Sequence, residues 1–465
     1  MEQRGFTAIG PEGNILKGHV DTANGKRLVL VGLGERFPYA PPDVTPGADT
    51  KSVEVTWHTD CLGQLCLYTE NDRNMKPWMS VDAFLGRITA WFDQAQQDWP
   101  DDVPILDADR YVNPDKSGIM IVYGDLESRV GQYVRFHEGA GKVVTLRLGE
   151  TPPHRPKGRK RRRYAAIRDV GEISRPIRSW KDVRILVEDV DSLEQEIRDR
   201  RIIGVFLIYS RSGRSAMLPL RVTPVGEEFS ISVYASASDA VEVRAYRSGP
   251  DRETLATKSV LVVGVGAVGS FLADLLARDG VGSITVKDGD RLTPGNTIRH
   301  LCDRGSIGQF KSDAVAERLC NGYGVDVLSD PTPLLHTRDV ASVIEKYDLV
   351  VDATADGIVT AMLHECANII GRTVLSVCVQ NDGEVCRVDL LPPLTGEPLE
   401  PTILKDSPHP AFYEAGCGDP ISPTPPHAVV KAAALAATHA IGLLTGTPLT
   451  PAGEIIQQTT VCPNG

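Results

Sequence analysis

The stretch "SVLVVGVGAVGSFLADLLARDGVGSITVKDGD", Ser259 to Asp290, decides how the last part of the chain folds. An aliphatic run, a glycine-rich turn, a helical pattern and a second aliphatic run ending in acid predict strand, turn, helix and strand. In Gly264-Val265-Gly266-Ala267-Val268-Gly269 the first glycine permits a tight turn, the second lets backbone approach a phosphate, and the third lets the helix pack on the strand. The helix N-terminus then offers unpaired N–H groups to an anion. Asp288 and Asp290, at the end of the second strand, can accept hydrogen bonds from ribose hydroxyls. A nicotinamide dinucleotide and ATP both satisfy these terms, so the turn predicts a nucleotide fold without naming the nucleotide.

Outward from this stretch, "YDLVVDATAD" and "TVLSVCVQ" continue an alternation of strands and helices, which predicts a parallel sheet. The segment "RLTPGNTIRHLCDRGSIGQFKSDAVAERL" places Asn296, Arg299 and Lys311 just past the ribose position, where hydride transfer has little use for them. A triphosphate does need cations. Attack at its α-phosphate drives negative charge onto the leaving pyrophosphate, which Arg, Lys and Mg2+ can stabilise. Asp352 and Asp356, at the end of a later strand, are the candidate ligands for that metal. Each of these residues alone reads better as a surface ion pair or a strand-end cap; together they favour ATP.

A chain of 465 residues exceeds one ordinary core, and three blocks are expected. Residues 1–116 contain strand-like "GNILKGHV" and "KRLVLVGLG", a proline-rich "FPYAPPDV" and an amphipathic "SVDAFLGRITAWFDQAQQDW", an α+β pattern. Residues 117–250 add strand candidates "GIMIVYG", "KVVTLRLG" and "IIGVFLIYS" and a charged helix, "DSLEQEIRDRR", with no legible chemistry. Residues 251–465 form the α/β nucleotide-binding block. With 42% hydrophobic and 24% charged residues and no apolar run near the ~20 residues a bilayer requires, no membrane span is expected. The start lacks a signal-peptide pattern, so a cytoplasmic setting is expected. Nine cysteines without CxxC pairing suit neither a disulfide framework nor a four-cysteine zinc site. The net charge of -11 argues against a nucleic-acid partner; the basic run "RPKGRKRRRY" reads as a solvated loop.

From Ser259 onward the sequence resembles the ThiF/MoeB-type adenylating enzymes, which include the ubiquitin-activating enzymes. The resemblance rests on the glycine turn, the acids Asp288 and Asp290, the Asn-x-x-Arg of Asn296 and Arg299, and the Gly-x-x-Lys of Gly308 and Lys311. It implies that Asp290 holds ribose, that Asn296, Arg299 and Lys311 contact phosphates, that an aspartate binds magnesium, and that the domain forms a homodimer. Two departures stand out: the aspartates are Asp352 and Asp356 rather than three apart, and His300 stands where many relatives carry Gln.

Enzymes of this kind activate the C-terminal carboxylate of a small protein, and some capture the acyl group on a cysteine. Cys417, in the Gly/Pro-rich "FYEAGCGDPISPTPP" before an Ala-rich helix, is the expected capture thiol, with Cys378 second. In the first block, Leu28 to Asp93 resemble the ubiquitin-conjugating fold: Phe37 to Val44, His58, Gly63 to Leu67, Trp78 and the helix from Ser80 follow that family's order, and Cys66 matches its nucleophile. His58-Thr59-Asp60 departs from the family's His-Pro-Asn, whose Asn steadies an oxyanion. The pairing of the two domains is similar to bacterial ubiquitin-like conjugation proteins, including those of anti-phage operons. That resemblance implies ATP and Mg2+ as cofactors, a ubiquitin-like or other protein with an activatable C-terminus as donor, and a lysine-bearing target. A sulfur-carrier adenylyltransferase without conjugation, an oxidoreductase using NAD and a binding module with decayed sites remain alternatives.

Overall fold

In the computed structural model the chain divides into two units, Met1–Ala240 and Val241–Gly465. The described residues are 1–10, 12–47, 57–69, 72–97, 99, 106–124, 130–148, 152, 163–240, 243, 246–323, 325–334, 336–405, 412–413 and 420–457. Cys417 and most of the basic run at 155–164 lie outside them.

The first unit opens with a four-stranded antiparallel sheet in sequence order, β1 (Thr7–Ile9), β2 (Ile15–Thr22), β3 (Gly25–Gly32) and β4 (Asp43–Pro46). Helix α1 (Val81–Gln96) starts at Ser80, whose hydroxyl accepts from the Ala83 N–H. Its buried Phe84, Ile88, Trp91 and Phe92 recur at helical spacing and pack with Val20, Val29 and Val31 of the sheet. Two indole N–H groups fasten the loops beneath: Trp78 donates to the Pro38 carbonyl at 2.8 Å and Trp91 to the His58 carbonyl at 3.1 Å.

The same unit contains an eight-stranded sheet ordered β11-β10-β9-β8-β6-β7-β5-β12. Its strands are β5 (Met120–Tyr123), β6 (Tyr133–Glu138), β7 (Val143–Leu148), β8 (Tyr164–Glu172), β9 (Gly204–Arg211), β10 (Arg214–Val225), β11 (Glu228–Val233) and β12 (Ala235–Ser238). Helices α2 (Trp180–Leu186) and α3 (Val190–Arg198) contribute Trp180, Val183, Leu193 and Ile197 to the core that contains Val205, Leu207 and Leu218. The unit thus spans both of the first two blocks and ends at Ala240 rather than Pro250.

In the second unit the strands are β13 (Ser259–Val263), β14 (Ser283–Lys287), β15 (Asp326–Asp330), β16 (Leu349–Asp352), β17 (Val374–Gln380), β18 (Val385–Leu391), the short pair β19 (Phe412–Tyr413) and β20 (Pro420–Ile421), and β21 (Gly453–Gln457). The main sheet runs β15-β14-β13-β16-β17-β18-β21, parallel through β17 and antiparallel for the last two strands. Val260 to Val263 are all buried, as expected where both faces are covered. Helices α4 (Ala267–Asp279), α5 (Lys311–Tyr323) and α8 (Pro426–Thr445) share one core with the sheet; α6 (Thr337–Lys346) and α7 (Gly357–Ile370) share the other. From β13 the chain builds outward to β14 and β15, then crosses back to β16. This reversal opens a crevice at the carboxyl ends of the strands.

One expectation needs correcting. Helix α8, 20 residues long, is long and apolar enough to cross a membrane. Its apolar character has a packing cause. Ala432, Ala433, Ala436 and Ala440 are wholly buried in the core shared with α4, where small side chains let the two helices approach closely.

Candidate functional site: a nucleotide cavity and a separate thiol

Gly264 adopts φ +79°, and a Cβ there would stand 2.8 Å from the Thr354 backbone. At Gly269 a Cβ would stand 1.9 Å from the Gly264 carbonyl, so only glycine lets α4 cross this close to β13. Gly266 is different: a Cβ there meets no atom of the described residues within 4 Å. Its face is the floor of a cavity of about 630 Å³, lined also by Asp288, Asp290, Arg299, Lys311, Asp356 and Cys378.

Each charged residue is held by a traceable contact. Asp288 accepts from the Val265 N–H and from the Asp290 N–H, both at 2.9 Å, so its first task is to fix the glycine turn. Burial pushes its carboxyl above the usual carboxylate range. Asp290 is largely exposed and pairs with Lys311, Nζ to Oδ2 at 2.8 Å, while the Lys311 N–H donates to the Asp290 carbonyl. Arg299 donates to the Ser422 and Thr424 carbonyls at 2.9 and 3.1 Å, and burial lowers its pKa. A desolvated guanidinium bonded, among the described residues, to two carbonyls is electrostatically suited to an anion.

Asn296 is not on the cavity wall: its Oδ1 accepts from the Thr293 N–H at 3.0 Å and shapes the loop leading to Arg299. The two aspartates separate clearly. Asp352 is buried and its carboxylate accepts from the Thr354 N–H and from the hydroxyls of Thr354, Thr360 and Ser376, which fills its acceptor positions. It does not line the cavity. Asp356 does, and its Oδ1 caps α7 by accepting from the Ile358 and Val359 N–H groups. Its Oδ2 has no protein partner among the described residues, leaving one oxygen for a cation. Magnesium commonly takes one or two carboxylates plus phosphate oxygens, so this donor set fits it.

Three further residues have surroundings that the sequence pattern did not reveal. His300 is buried beneath the glycine turn, its Nε2–H donating to the Val265 carbonyl and its Nδ1 accepting from the Cys302 N–H. Burial lowers its pKa and keeps it neutral. Lys287, in the cavity wall, donates to Asp330 and Thr332 at 2.6 and 2.7 Å. Its place directly before Asp288 was the available signal, but the partner lies 43 positions away. Cys378 lies on the wall too, and burial pushes its thiol up to about 11, which opposes a nucleophilic role.

In the first unit Cys66 is part-buried, its N–H donating to the His58 carbonyl at 2.8 Å. Burial is the main cause that pushes its thiol up. Asp60 accepts from the Leu62 and Gln64 N–H groups and closes the turn before Cys66.

A doubly wound sheet, a glycine turn fixed by Asp288 and cations lining one cavity make up the architecture in which open α/β sheets bind ligands at the carboxyl ends of their strands. Residues 240–460 match the ThiF family model. Among curated relatives, the chain is 30% identical over 149 residues to the ATP-dependent ubiquitin transferase-like protein Cap2 of Pseudomonas aeruginosa, covering 31% of this chain and 26% of that protein. It is 27% identical over 213 residues to the adenylyltransferase and sulfurtransferase uba4 of Emericella nidulans, covering 43% and 41%. The chain therefore spans between about a quarter and two fifths of these relatives. A solved structure of E. coli MccB with ATP is 16% identical, with a TM-score of 0.34, over 46% of this chain and 68% of that one.

Proposed function

We propose that the chain is an ATP-dependent adenylyltransferase that activates a protein C-terminal carboxylate and passes the acyl group through cysteines to a lysine. The observation that carries this reading is the meeting of Gly266, Arg299, Lys311 and Asp356 around one cavity at the strand ends. Those groups suit a triphosphate. A dinucleotide oxidoreductase would share the glycine turn but leave Arg299 and Lys311 unexplained.

A carboxylate oxygen attacks the α-phosphorus, forming an acyl-adenylate, while the bond to the bridging oxygen breaks and pyrophosphate leaves. Arg299 and Lys311 meet the charge gathered on the phosphates. Asp356, rather than Asp352, would hold magnesium, which supplies further charge neutralisation when bound. Asp290 would hold the ribose, sharing its carboxylate with Lys311. A thiolate at Cys417 then attacks the acyl carbon and expels AMP. Transfer to Cys66 exchanges one thioester for another, and a lysine amine completes an amide. The Cap2 relative, named as a ubiquitin transferase-like protein, favours this sequence; the uba4 relative favours sulfur-carrier activation, in which Cys66 stays idle. A cytoplasmic setting, homodimerisation through the ThiF-family domain and a role in anti-phage conjugation belong to the same proposal.

Intact-mass measurement after mixing the chain with ATP, magnesium and candidate carrier proteins tests it. A reductant-sensitive adduct of one carrier mass is expected, lost in Cys417→Ala and trapped short of Cys66 in Cys66→Ala. An unmodified mass with every carrier, and no ATP-dependent pyrophosphate release, would contradict it.

A further inference from the structure

Aminolysis of a thioester at Cys66 creates an oxyanion and then a thiolate, and the turn beside it carries Asp60. Asp60 is an acceptor engaged by two backbone N–H groups. Positive charge arrives instead from beyond Asp93. Thr59 pairs across with Leu65, next to Cys66, and its hydroxyl accepts from Arg178 Nη2, 119 positions away. The Arg178 guanidinium lies 5.8 Å from the Tyr111 ring centre, and the Tyr111 hydroxyl donates to the Trp57 carbonyl. Trp57 is fixed in turn: its Nε1–H donates to the Ser174 carbonyl at 3.0 Å and Arg211 stacks on its ring at 4.0 Å. In the turn before Tyr111, Arg110 faces Asp107 at 3.5 Å. Arg178 Nε and Asp107 Oδ1 are buried without hydrogen-bond partners among the described residues.

We infer that Arg110 and Arg178 are the charges that stabilise the anions formed at Cys66. The inference rests on the reading of Cys66 as an acyl carrier. Burial opposes the Cys66 thiolate most, the charges of Asp60 and Asp107 oppose it further, and those of Arg110 and Arg178 favour it. In the step itself the amine nitrogen bonds to the thioester carbon and the carbonyl oxygen takes the electron pair. Collapse restores the carbonyl and breaks the carbon–sulfur bond, leaving the thiolate on Cys66. The ammonium proton passes to water. The large sheet thereby acquires a chemical role, since Arg178 and the Trp57 clamp come from its side of the unit.

The test uses the full chain acetylated with p-nitrophenyl acetate, with the acetyl group on Cys66 followed by peptide mass after free lysine is added. Arg110→Gln and Arg178→Gln are each expected to slow its loss about tenfold, less than for an enclosed oxyanion donor because both side chains are partly solvated. Each should also move the pH midpoint of Cys66 alkylation by iodoacetamide upward, and Arg178→Lys should recover most of both effects. Unchanged rates and midpoints in both Gln variants overturn the inference. So does a loss in Arg178→Gln that Arg178→Lys fails to recover, which marks a structural role. Because the acetyl group is installed chemically, these outcomes are independent of whether ATP-driven transfer ever reaches Cys66.

Discussion

Lys311 and Asp290 hold each other at 2.8 Å, so under the proposed function a triphosphate would meet an ammonium whose position is already set. Removing that cation costs the ligand a charge-assisted hydrogen bond of roughly 1.5–3 kcal/mol, whereas the pair itself, with Asp290 exposed, contributes only about 0–1 kcal/mol to folding. Lys311→Ala is therefore expected to weaken ATP binding about tenfold or more in titration calorimetry with little change in melting temperature. His300 gives a pH dependence. Its folded pKa lies below the ordinary 6.5, so the unfolded chain binds the proton more readily. The stabilisation from the neutral ring is complete above about 6.5 and declines as pH falls through that value. Compared with the non-titrating His300→Gln, the wild-type advantage in urea midpoint should shrink between about pH 7.5 and 5.5. An advantage that stays constant would show that the buried ring is not what titrates.

At the scale of elements, the strand, turn and helix from Ser259 to Asp290 were legible because each step has a local cause: buried β-branched runs for the strands and steric necessity for the glycines. Gly266 and Gly269 separate the two uses of glycine. A methyl at Gly269 collides with the Gly264 carbonyl, so Gly269→Ala should destabilise the second unit by about 3 kcal/mol or more in chemical unfolding. Gly266→Ala touches nothing in the protein, so it should leave melting nearly unchanged and lower ATP affinity. Other features were not legible because they depend on distant partners. Asp352 and Asp356 look alike along the chain; only the hydroxyls of Thr360 and Ser376 reveal that Asp352 is engaged internally. Asn296 matched a phosphate-binding pattern, yet its side chain shapes a loop off the cavity wall. Strands β6, β10, β18 and β21 escaped sequence analysis because their pairing, not their local pattern, defines them. The apolar α8 was missed as a near-continuous hydrophobic segment because alanines carry little of the usual aliphatic signal.

For the whole molecule, the cavity of strand-end residues lies in the second unit and the part-buried Cys66 in the first. Under the proposed function, carrying the two acyl-accepting thiols, Cys417 and Cys66, on one chain raises the effective concentration of one near the other, up to the mM range when the tether permits contact. This advantage exists only if the cavity takes ATP. Titration calorimetry of the full-length chain with ATP in magnesium buffer, repeated with NAD, tests that requirement most directly. Saturable ATP binding, weakened at least about tenfold by Arg299→Ala and accompanied by no NAD binding, is the expected result. Saturable NAD binding with no ATP binding would contradict the assignment.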